Sequence, residues 1–109
     1  MNRGAIVIVA GRGSLGSKPR PAVIVQADSL IESHPTILVA PITSEFHDFP
    51  LFRINLQPTP ENGLRVPCQI MSDSLITVRR RQIDRVVGQL DPENLSRLER
   101  ALFVVLGLG

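Results

Sequence analysis

The fold class is decided by the stretch RPAVIVQADSLIESHPTILVAP (residues 20–41). Two runs within it, Ala22–Gln26 and Thr36–Ala40, consist mainly of β-branched and aliphatic residues and predict β-strands. Between them, Asp28–Glu32 predicts one short helical turn, which ends at His34-Pro35. Pro41 is expected to end the second of these strands. Such short strands at close spacing indicate a small barrel rather than a sheet built from strand–helix–strand units.

The flanking sequence predicts four more strands, each bounded by turn-forming residues. These are Ile6–Val9, Leu51–Leu56, Val66–Met71 and Val86–Leu90. The C-terminal part instead predicts an amphipathic helix, because Asp91-Pro92 is a typical helix start and leucines recur at helical spacing up to Gly107. We therefore expect one mainly β domain with α structure over residues 1–109, a small barrel closed by the C-terminal helix.

The composition is that of a folded protein of modest size: 109 residues, 43% hydrophobic and 20% charged. The single cysteine, Cys68, excludes a disulfide-stapled secreted domain and favours a reducing compartment. The longest apolar runs, Ala5–Ala10 and Ala101–Leu106, are far shorter than the roughly 20 residues of a membrane-spanning helix. Because the N-terminal residues also lack the pattern of a signal peptide, we expect a cytoplasmic protein without membrane contact.

The basic residues are almost all arginine: of 12 basic side chains, only Lys18 is lysine. Arginine binds phosphate bidentately, so this bias favours a nucleic acid or an acidic protein as partner, although a GC-rich genome would give the same bias. In the loop after the first strand, Arg12, Lys18 and Arg20 stand among glycines and could meet a phosphate backbone. An ordinary exposed hairpin loop is the alternative. With four phenylalanines and no tyrosine or tryptophan, the chain does not resemble RNA binders built on rows of aromatic residues.

Four other features carry little functional information. The spacing of GRGSLG (residues 11–16) matches a dinucleotide-binding fingerprint, but Pro19 and Pro21 prevent the helix that would bind the pyrophosphate. No histidine or cysteine spacing is typical of a metal site, so we expect neither a metal nor a cofactor. Cys68 is interpreted as a small buried residue, with a nucleophilic cysteine as the alternative. Arg79–Arg81 is interpreted as a solvated face, with nucleic-acid contact as the alternative.

Several segments, in order, resemble the MazF/PemK family, the ribonuclease toxins of type II toxin–antitoxin modules. They are RGAIV (residues 3–7), RPAVIVQ (20–26), VAPITS (39–44), GLRVPCQIM (63–71) with the following Asp73, and GQLD (88–91), which runs into the C-terminal helix. The resemblance covers nearly the whole chain. Its specificity comes from the Arg-Pro pair followed in register by Pro-Ile-Thr and by the Gly-Leu segment.

The resemblance implies an SH3-like barrel that cleaves single-stranded RNA without a metal. It assigns catalysis to Arg20, which would hold phosphate oxygens, and to Thr43, which would donate a hydrogen bond to the same phosphate. The candidate substrate-binding residues are Arg12, Ser17, Lys18, Ser44 and Asp73. For Asp73, roles as a base and as a turn-capping carboxylate both stay open.

The resemblance also implies two protein partners, a second copy of the chain in a homodimer and a cognate antitoxin. The C-terminal helix is expected in or near the dimer interface, because the barrel is too small to cover its apolar stripe. Phe46 and Phe49, which share one loop, are expected to anchor an acidic and initially disordered antitoxin segment.

The sequence departs from the family pattern at two positions. Ala5 stands where members usually carry Asp or Glu, and Met71 stands where the PemK branch has arginine. The gyrase poison CcdB has the same architecture. This chain resembles CcdB at Val25–Asp28 and at the C-terminal Leu-Gly-Leu-Gly, but it lacks the C-terminal Trp-Gly-Ile of CcdB. Two alternatives to the ribonuclease stay open: a CcdB-like protein that binds gyrase without catalysis, and an inactive SH3-like binding module.

Overall fold

The computed structural model describes residues 1–11 and 18–109. Within them the elements are β1 (Ala5–Val9), β2 (Arg20–Ile24), α1 (Asp28–Ile31), β3 (Thr36–Thr43), β4 (Arg53–Leu56), β5 (Cys68–Met71), β6 (Ile76–Arg79), β7 (Ile83–Gln89) and α2 (Pro92–Leu106). A 3-10 turn, Arg80–Gln82, connects β6 to β7. No helix in these ranges is long and apolar enough to cross a membrane.

The strands pair antiparallel in the order β4-β5-β3-β2-β1-β7, and β6 pairs with β3 beside this path. β3 is the hub, since its eight residues pair with β2 along one edge and with β6 and then β5 along the other. The expected mainly β architecture with a C-terminal helix is confirmed. The described strands form an open path rather than a closed barrel, because its end strands, β4 and β7, do not pair with each other.

β3 continues through Pro41, whereas the sequence predicted that this strand ends there. The carbonyl of Leu38 accepts a hydrogen bond from Val25 N–H at 3.0 Å, so the backbone groups of Leu38 face β2. Since these groups alternate between the two edges of a strand, those of Pro41 face the opposite edge. At that edge β3 changes partner, from β6 at Val39 to β5 at Ile42, and the missing N–H of proline falls in the gap between the two ladders.

Several strand boundaries and one strand differ from the sequence predictions. β2 spans Arg20–Ile24 rather than Ala22–Gln26, and β7 begins at Ile83 rather than Val86. β4 and β5 each begin two residues later than predicted, at Arg53 and Cys68. β6 was not predicted at all, because its four residues give only two apolar–polar alternations beside a run of arginines. Its pairing with β3, a contact distant in sequence, is what makes this short segment a strand.

Apolar clusters pack on both faces of the central strands. One includes Ile6 and Ile70 and is covered by α2 through Leu98. The other includes Val7 and is covered by α1 through Ile31. Ile6 and Val7 are neighbours in β1 yet lie in different clusters, because successive side chains of a strand point to opposite faces. The central strands are therefore apolar on both faces.

The bounds predicted for the C-terminal helix are confirmed. The Asp91 side chain accepts a hydrogen bond from Asn94 N–H at 3.2 Å, and Pro92 occupies the first turn. Gly107 ends the helix with φ 71°, in the left-handed region that glycine adopts most easily. The helix buries Leu98 and Ala101 against the sheet.

The connection between β4 and β5 is held by a buried side chain, Asn62. Its carbonyl oxygen accepts hydrogen bonds from the backbone N–H groups of Thr59 and Leu64, both at 3.0 Å. Gly63 follows with φ 68° and lies against β7, so that a Cβ there would be 2.2 Å from the carbonyl oxygen of Val87. This turn therefore fixes the connection against β7.

We predict that Gly63→Ala destabilises the fold much more than Gly107→Ala. Both glycines have positive φ, which costs a non-glycine residue about 1 kcal/mol. Only at Gly63 would an added Cβ also collide with backbone atoms of Val87, whereas a Cβ at Gly107 meets no atom within 4 Å. Urea denaturation should give a loss of about 1 kcal/mol for Gly107→Ala and about 3 kcal/mol or more for Gly63→Ala. Equal losses for the two variants would show that the close contact between Gly63 and β7 adds nothing to the cost of the Gly63→Ala substitution.

Candidate functional site

A cleft of ≈ 460 Å³ opens where the start of β2, the end of β3 and the β4–β5 connection meet β7. Its cationic side chains are Lys18, Arg20, Arg65 and Arg85. The described lining residues include neither aspartate nor glutamate. Four positive charges without an opposing charge in the same cleft favour an anionic ligand.

The lining between these cations is mostly apolar. It is formed by Ile8, Pro19, Pro21, Ile42, Gly63, Leu64, Val66, Cys68 and Val87. Cys68 is 3% exposed, and its burial raises the pKa of the thiol, so the sulfur is uncharged at neutral pH. Apolar walls weaken the screening by water and strengthen the attraction between the cations and a bound phosphate.

Arg20 is the first residue of β2 and is held in register by its pairing with Val9 of β1. Pro21 pairs with Ile8 of β1, but Val25 N–H donates to Leu38 of β3, so by alternation the backbone groups of Pro21 also face β3 rather than β1. Since Pro21 lies just beyond the last β2–β3 pair, its missing N–H interrupts neither ladder. The guanidinium of Arg20 makes no hydrogen bond or ion pair with any described residue. Its N–H donors are therefore available to a ligand.

Thr43 ends β3, and Ser44 follows at the margin of the cleft. The Thr43 hydroxyl oxygen accepts a hydrogen bond from Glu45 N–H at 3.0 Å, which leaves its own hydrogen free to be donated. In β5, the buried Gln69 pairs with Thr43. The side-chain amide of Gln69 also holds the loop after β3, because it accepts a hydrogen bond from His47 N–H and donates one to the His47 carbonyl. The structure thus brings Lys18, Arg20 and Ser44 into one cleft and places Thr43 beside it.

Asp73 does not line this cleft and is engaged elsewhere. Arg53 donates two hydrogen bonds to its carboxylate, from Nε at 2.7 Å and from Nη2 at 3.1 Å. The hydrogen bond from Arg53 holds the pKa of Asp73 below its usual range. A carboxylate with a lowered pKa is a weaker base, and the geometry here is that of an ion pair between β4 and the turn after β5. A role of Asp73 towards substrate stays a prediction.

Two of the predicted substrate-binding residues, Arg12 and Ser17, lie outside the described residues. Two residues of the cleft were not singled out from the sequence, Arg65 and Arg85. The excess of arginine pointed to an anionic partner, but it could not indicate which arginines converge. The described ranges contain no group of three or more His, Cys, Asp or Glu side chains that could hold a metal ion.

The loop between β3 and β4 carries a stack of rings. The ring of Phe49 lies 5.8 Å from that of His47 and 5.2 Å from that of Phe52, centre to centre. The guanidinium carbon of Arg53 lies 5.4 Å from the centre of the Phe49 ring. Phe46 and Phe49 remain 50% and 42% exposed. The loop therefore presents apolar rings at the surface even though its base is packed.

Comparison with known proteins gives a consistent result. The family described as PemK-like, MazF-like toxin of type II toxin–antitoxin system matches residues 2–106. The Mycolicibacterium smegmatis protein "Probable endoribonuclease MazF" is 39% identical over 108 residues, which cover 99% of this chain and 98% of that protein. The Mycobacterium tuberculosis protein "Endoribonuclease MazF9" is 29% identical over 99% of this chain and 98% of its own length.

Solved structures share the fold. A mycobacterial endoribonuclease in complex with its cognate antitoxin superposes with a TM-score of 0.83, at 18% identity, over 100% of this chain and 97% of that one. The Mycobacterium tuberculosis toxin MazF-mt6 gives a TM-score of 0.81 at 22% identity, over 96% and 98% of the two chains.

We predict that Asp73→Asn lowers the free energy of unfolding in a pH-dependent way. Because the pKa of Asp73 is lower in the folded chain than in the unfolded one, the ion pair stabilises the fold fully above about pH 4. That stabilisation is lost as the pH falls through the lowered pKa. Because the Asp73 side chain is 28% exposed and solvent screens the pair, denaturant titration should show a loss of about 1 kcal/mol at pH 7 and a smaller loss near pH 3.

The matched control is Asp84→Asn, which removes an ion pair with Arg85 whose two side chains are 60% and 59% exposed. An exposed pair of this kind contributes little, so this variant should resemble the parent at both pH values. A loss for Asp73→Asn that does not change between pH 7 and pH 3 would contradict the ion-pair explanation.

Proposed function

The chain belongs to the family of PemK-like, MazF-like toxins of type II toxin–antitoxin systems, and from this membership we propose how it cleaves RNA. It is an endoribonuclease toxin. We propose that it cleaves single-stranded RNA without a metal, by attack of the substrate's own 2′-oxygen on the adjacent phosphorus. The supporting observation is the cationic cleft that contains Arg20, with Thr43 and Ser44 at its edge. No feature of the cleft favours the gyrase-binding or inactive-module alternatives.

The proposed reaction needs alignment and charge stabilisation more than a reactive protein group. The 2′-hydroxyl loses its proton, the bond from O2′ to phosphorus forms, the bond from phosphorus to O5′ breaks, and O5′ takes up a proton. The products are a 2′,3′-cyclic phosphate and a 5′-hydroxyl. Since the nucleophile belongs to the RNA, the protein contributes by holding the groups in line and by stabilising the doubly charged phosphorane.

Arg20 is proposed to stabilise this phosphorane. Its guanidinium presents several N–H donors in one plane, makes no bond to a described residue, and stays charged throughout the reaction. Thr43 is proposed to donate its hydroxyl hydrogen to a phosphate oxygen, because its own oxygen already accepts from Glu45 N–H. Lys18 and Ser44 are proposed to bind substrate at the same cleft. Arg12, Ser17 and Asp73 are proposed as further substrate-binding residues on the family resemblance alone.

A cognate antitoxin is the proposed inhibitor. The cleft lined by cations would attract an acidic segment, and the exposed Phe46 and Phe49 would give such a segment apolar anchors nearby. A segment bound across both would exclude RNA by occupying the same cations. The single buried cysteine supports the reducing cytoplasm as the place where toxin and antitoxin meet.

We predict that Arg20→Ala lowers the cleavage rate about 10²–10³-fold, the range for loss of one donor to a developing oxyanion. Arg20→Lys should recover little, because a point charge does not replace a bidentate donor. Thr43→Ala should lose less than Arg20→Ala, since a neutral hydroxyl forms the weaker bond. All three variants should stay folded because both residues lie at strand ends, where truncation leaves no core cavity.

The assay is cleavage of a long RNA in EDTA, with chemical analysis of the new ends. Cleavage should persist in EDTA and leave 2′,3′-cyclic phosphate and 5′-hydroxyl ends. A requirement for Mg²⁺, or full activity of folded Arg20→Ala, would overturn the proposed mechanism.

A homodimer is proposed on the exposed apolar surface at the C-terminal end of α2. Phe103, Leu106 and Leu108 are 53%, 56% and 68% exposed. They line a second cleft of ≈ 470 Å³, together with the ion pair between Arg3 and Glu99. A surface with this many exposed apolar side chains is typical of an interaction site rather than of free solvent contact.

We predict that the protein is a dimer at micromolar concentration and that Leu106→Glu makes it a monomer. A charge at the centre of an apolar interface would lose its water on association, which is unfavourable. Light scattering would measure the mass of both forms, with circular dichroism to verify that the variant is folded. A parent protein that is monomeric would contradict the proposal, and a dimeric folded variant would place the interface elsewhere.

A further inference from the structure

Two arginines of the cationic cleft have no part in the chemistry proposed above. Arg65 belongs to the β4–β5 connection and Arg85 to β7, and both line the cleft that contains Arg20. They reach it from elements that are far from β2 and β3 in sequence. The cleft therefore receives positive charge from three separate parts of the chain and not only from the segment that carries Lys18 and Arg20.

The backbone that carries Arg65 is fixed in place. Just before it, Asn62 donates to the carbonyl of Gln57 at 2.9 Å and accepts from two backbone N–H groups. The carbonyl of Glu61 accepts from Gln89 N–H, also at 2.9 Å, which ties the connection to the end of β7. Arg65 thus follows an anchored turn that lies beside β7, the strand that carries Arg85. Because this backbone is already ordered, little conformational entropy is lost when Arg65 binds a ligand.

Neither arginine is neutralised by a strong partner. Arg65 makes no hydrogen bond or ion pair with any described residue. Arg85 pairs only with Asp84 among the described residues, and both side chains are about three-fifths exposed. Such exposed pairs contribute little and exchange readily for another anion. Asp84 itself is not part of the cleft lining.

The number of cations exceeds what one phosphate requires. The scissile phosphorane carries two negative charges, which Arg20 and Lys18 together can balance. Single-stranded RNA carries one further charge at each neighbouring phosphate, and arginines are the usual partners of such phosphates. The same lining includes Val66 and Val87, apolar side chains suited to contact with the sugar or base that joins two phosphates.

We infer that Arg65 and Arg85 bind backbone phosphates that flank the scissile phosphate, so that the cleft holds a segment of RNA rather than a single phosphodiester. The inference rests on the proposed function, since it takes RNA as the ligand of this cleft. Both contacts are present before and during the reaction and so contribute to binding, not to the chemical step. Arg65 and Arg85 are substrate-binding residues and not catalytic ones.

The test compares Arg65→Gln and Arg85→Gln with the parent in the cleavage assay. Each variant should raise KM about tenfold and leave kcat within about twofold, the pattern for loss of a contact made equally in ground and transition states. Each should also lower the slope of log KM against log salt concentration by about 0.7, the value for one phosphate contact on a single strand. Arg65→Lys should restore most of the loss, because a flanking phosphate needs charge rather than a bidentate donor.

The matched control is Arg100→Gln, which removes an exposed arginine of α2 outside the cleft. Arg100→Gln removes the same unit of positive charge from the protein and should leave both KM and the slope of log KM against log salt concentration unchanged. A rise in KM equal to that of Arg65→Gln would show a general effect of net charge and would overturn the inference. A fall in kcat without a change in KM would overturn it as well.

Binding to an RNA that cannot react separates this inference from the proposed function. The probe is a fluorescein-labelled random pool of about 12 nucleotides, a common site size, in which every 2′-hydroxyl is methylated. If the protein binds this probe through Arg65 and Arg85 but cleaves no RNA, the reaction is wrong and the binding residues are right. If it cleaves RNA while both variants bind the probe like the parent, the function stands and the inference fails.

Discussion

The pairing of β3 with three other strands is the constraint on which the rest of the structure depends. Along one edge β3 pairs antiparallel with β2. This pairing places Arg20, at the start of β2, next to the end of β3. Along the other edge it pairs first with β6 and then with β5, and Pro41 occupies the point of exchange. A residue with a backbone N–H at that point would leave an unpaired donor between the ladders. Pro41, which the sequence predicted to end the strand, therefore suits the place where β3 changes partners.

The same strand pairing explains how the chain folds with four cationic side chains in one cleft. Lys18, Arg20, Arg65 and Arg85 repel one another, which opposes folding. The Cα positions of Arg20 and Arg85 are set by strand pairing, and the Asn62 turn just before Arg65 anchors its backbone; both kinds of contact are made by neutral groups. The charged ends meet water in the absence of ligand, so the repulsion is reduced by solvent. A neutral framework thus holds Arg20, Arg65 and Arg85 at the cleft, where Arg85 alone has an ion-pair partner among the described residues, the exposed Asp84.

Asp73, the acidic residue that the family resemblance assigned to substrate binding, has a different environment. Asp73 is held by Arg53, whose side chain is 8% exposed and packs beside the Phe49 ring. This pair joins the turn after β5 to β4 and to the aromatic loop. It keeps a carboxylate away from the cations of the cleft, where it would compete with a phosphate for the same donors. Asp73 is therefore paired within the fold, whereas Arg20 and Arg65 make no bond to a described residue.

Features that depend on neighbouring residues could be predicted from the amino-acid sequence: apolar strands, the C-terminal helix that starts at Asp91-Pro92 and ends at Gly107, and the family through short motifs in register. Arg20 and Thr43 were also predicted as site residues, because Arg-Pro and Pro-Ile-Thr are local patterns. Which arginines share a cleft, that β6 is a strand, and that Asp73 pairs with Arg53 became visible in the folded chain. Those features depend on contacts between segments far apart in the chain, and no local pattern records which segments will meet.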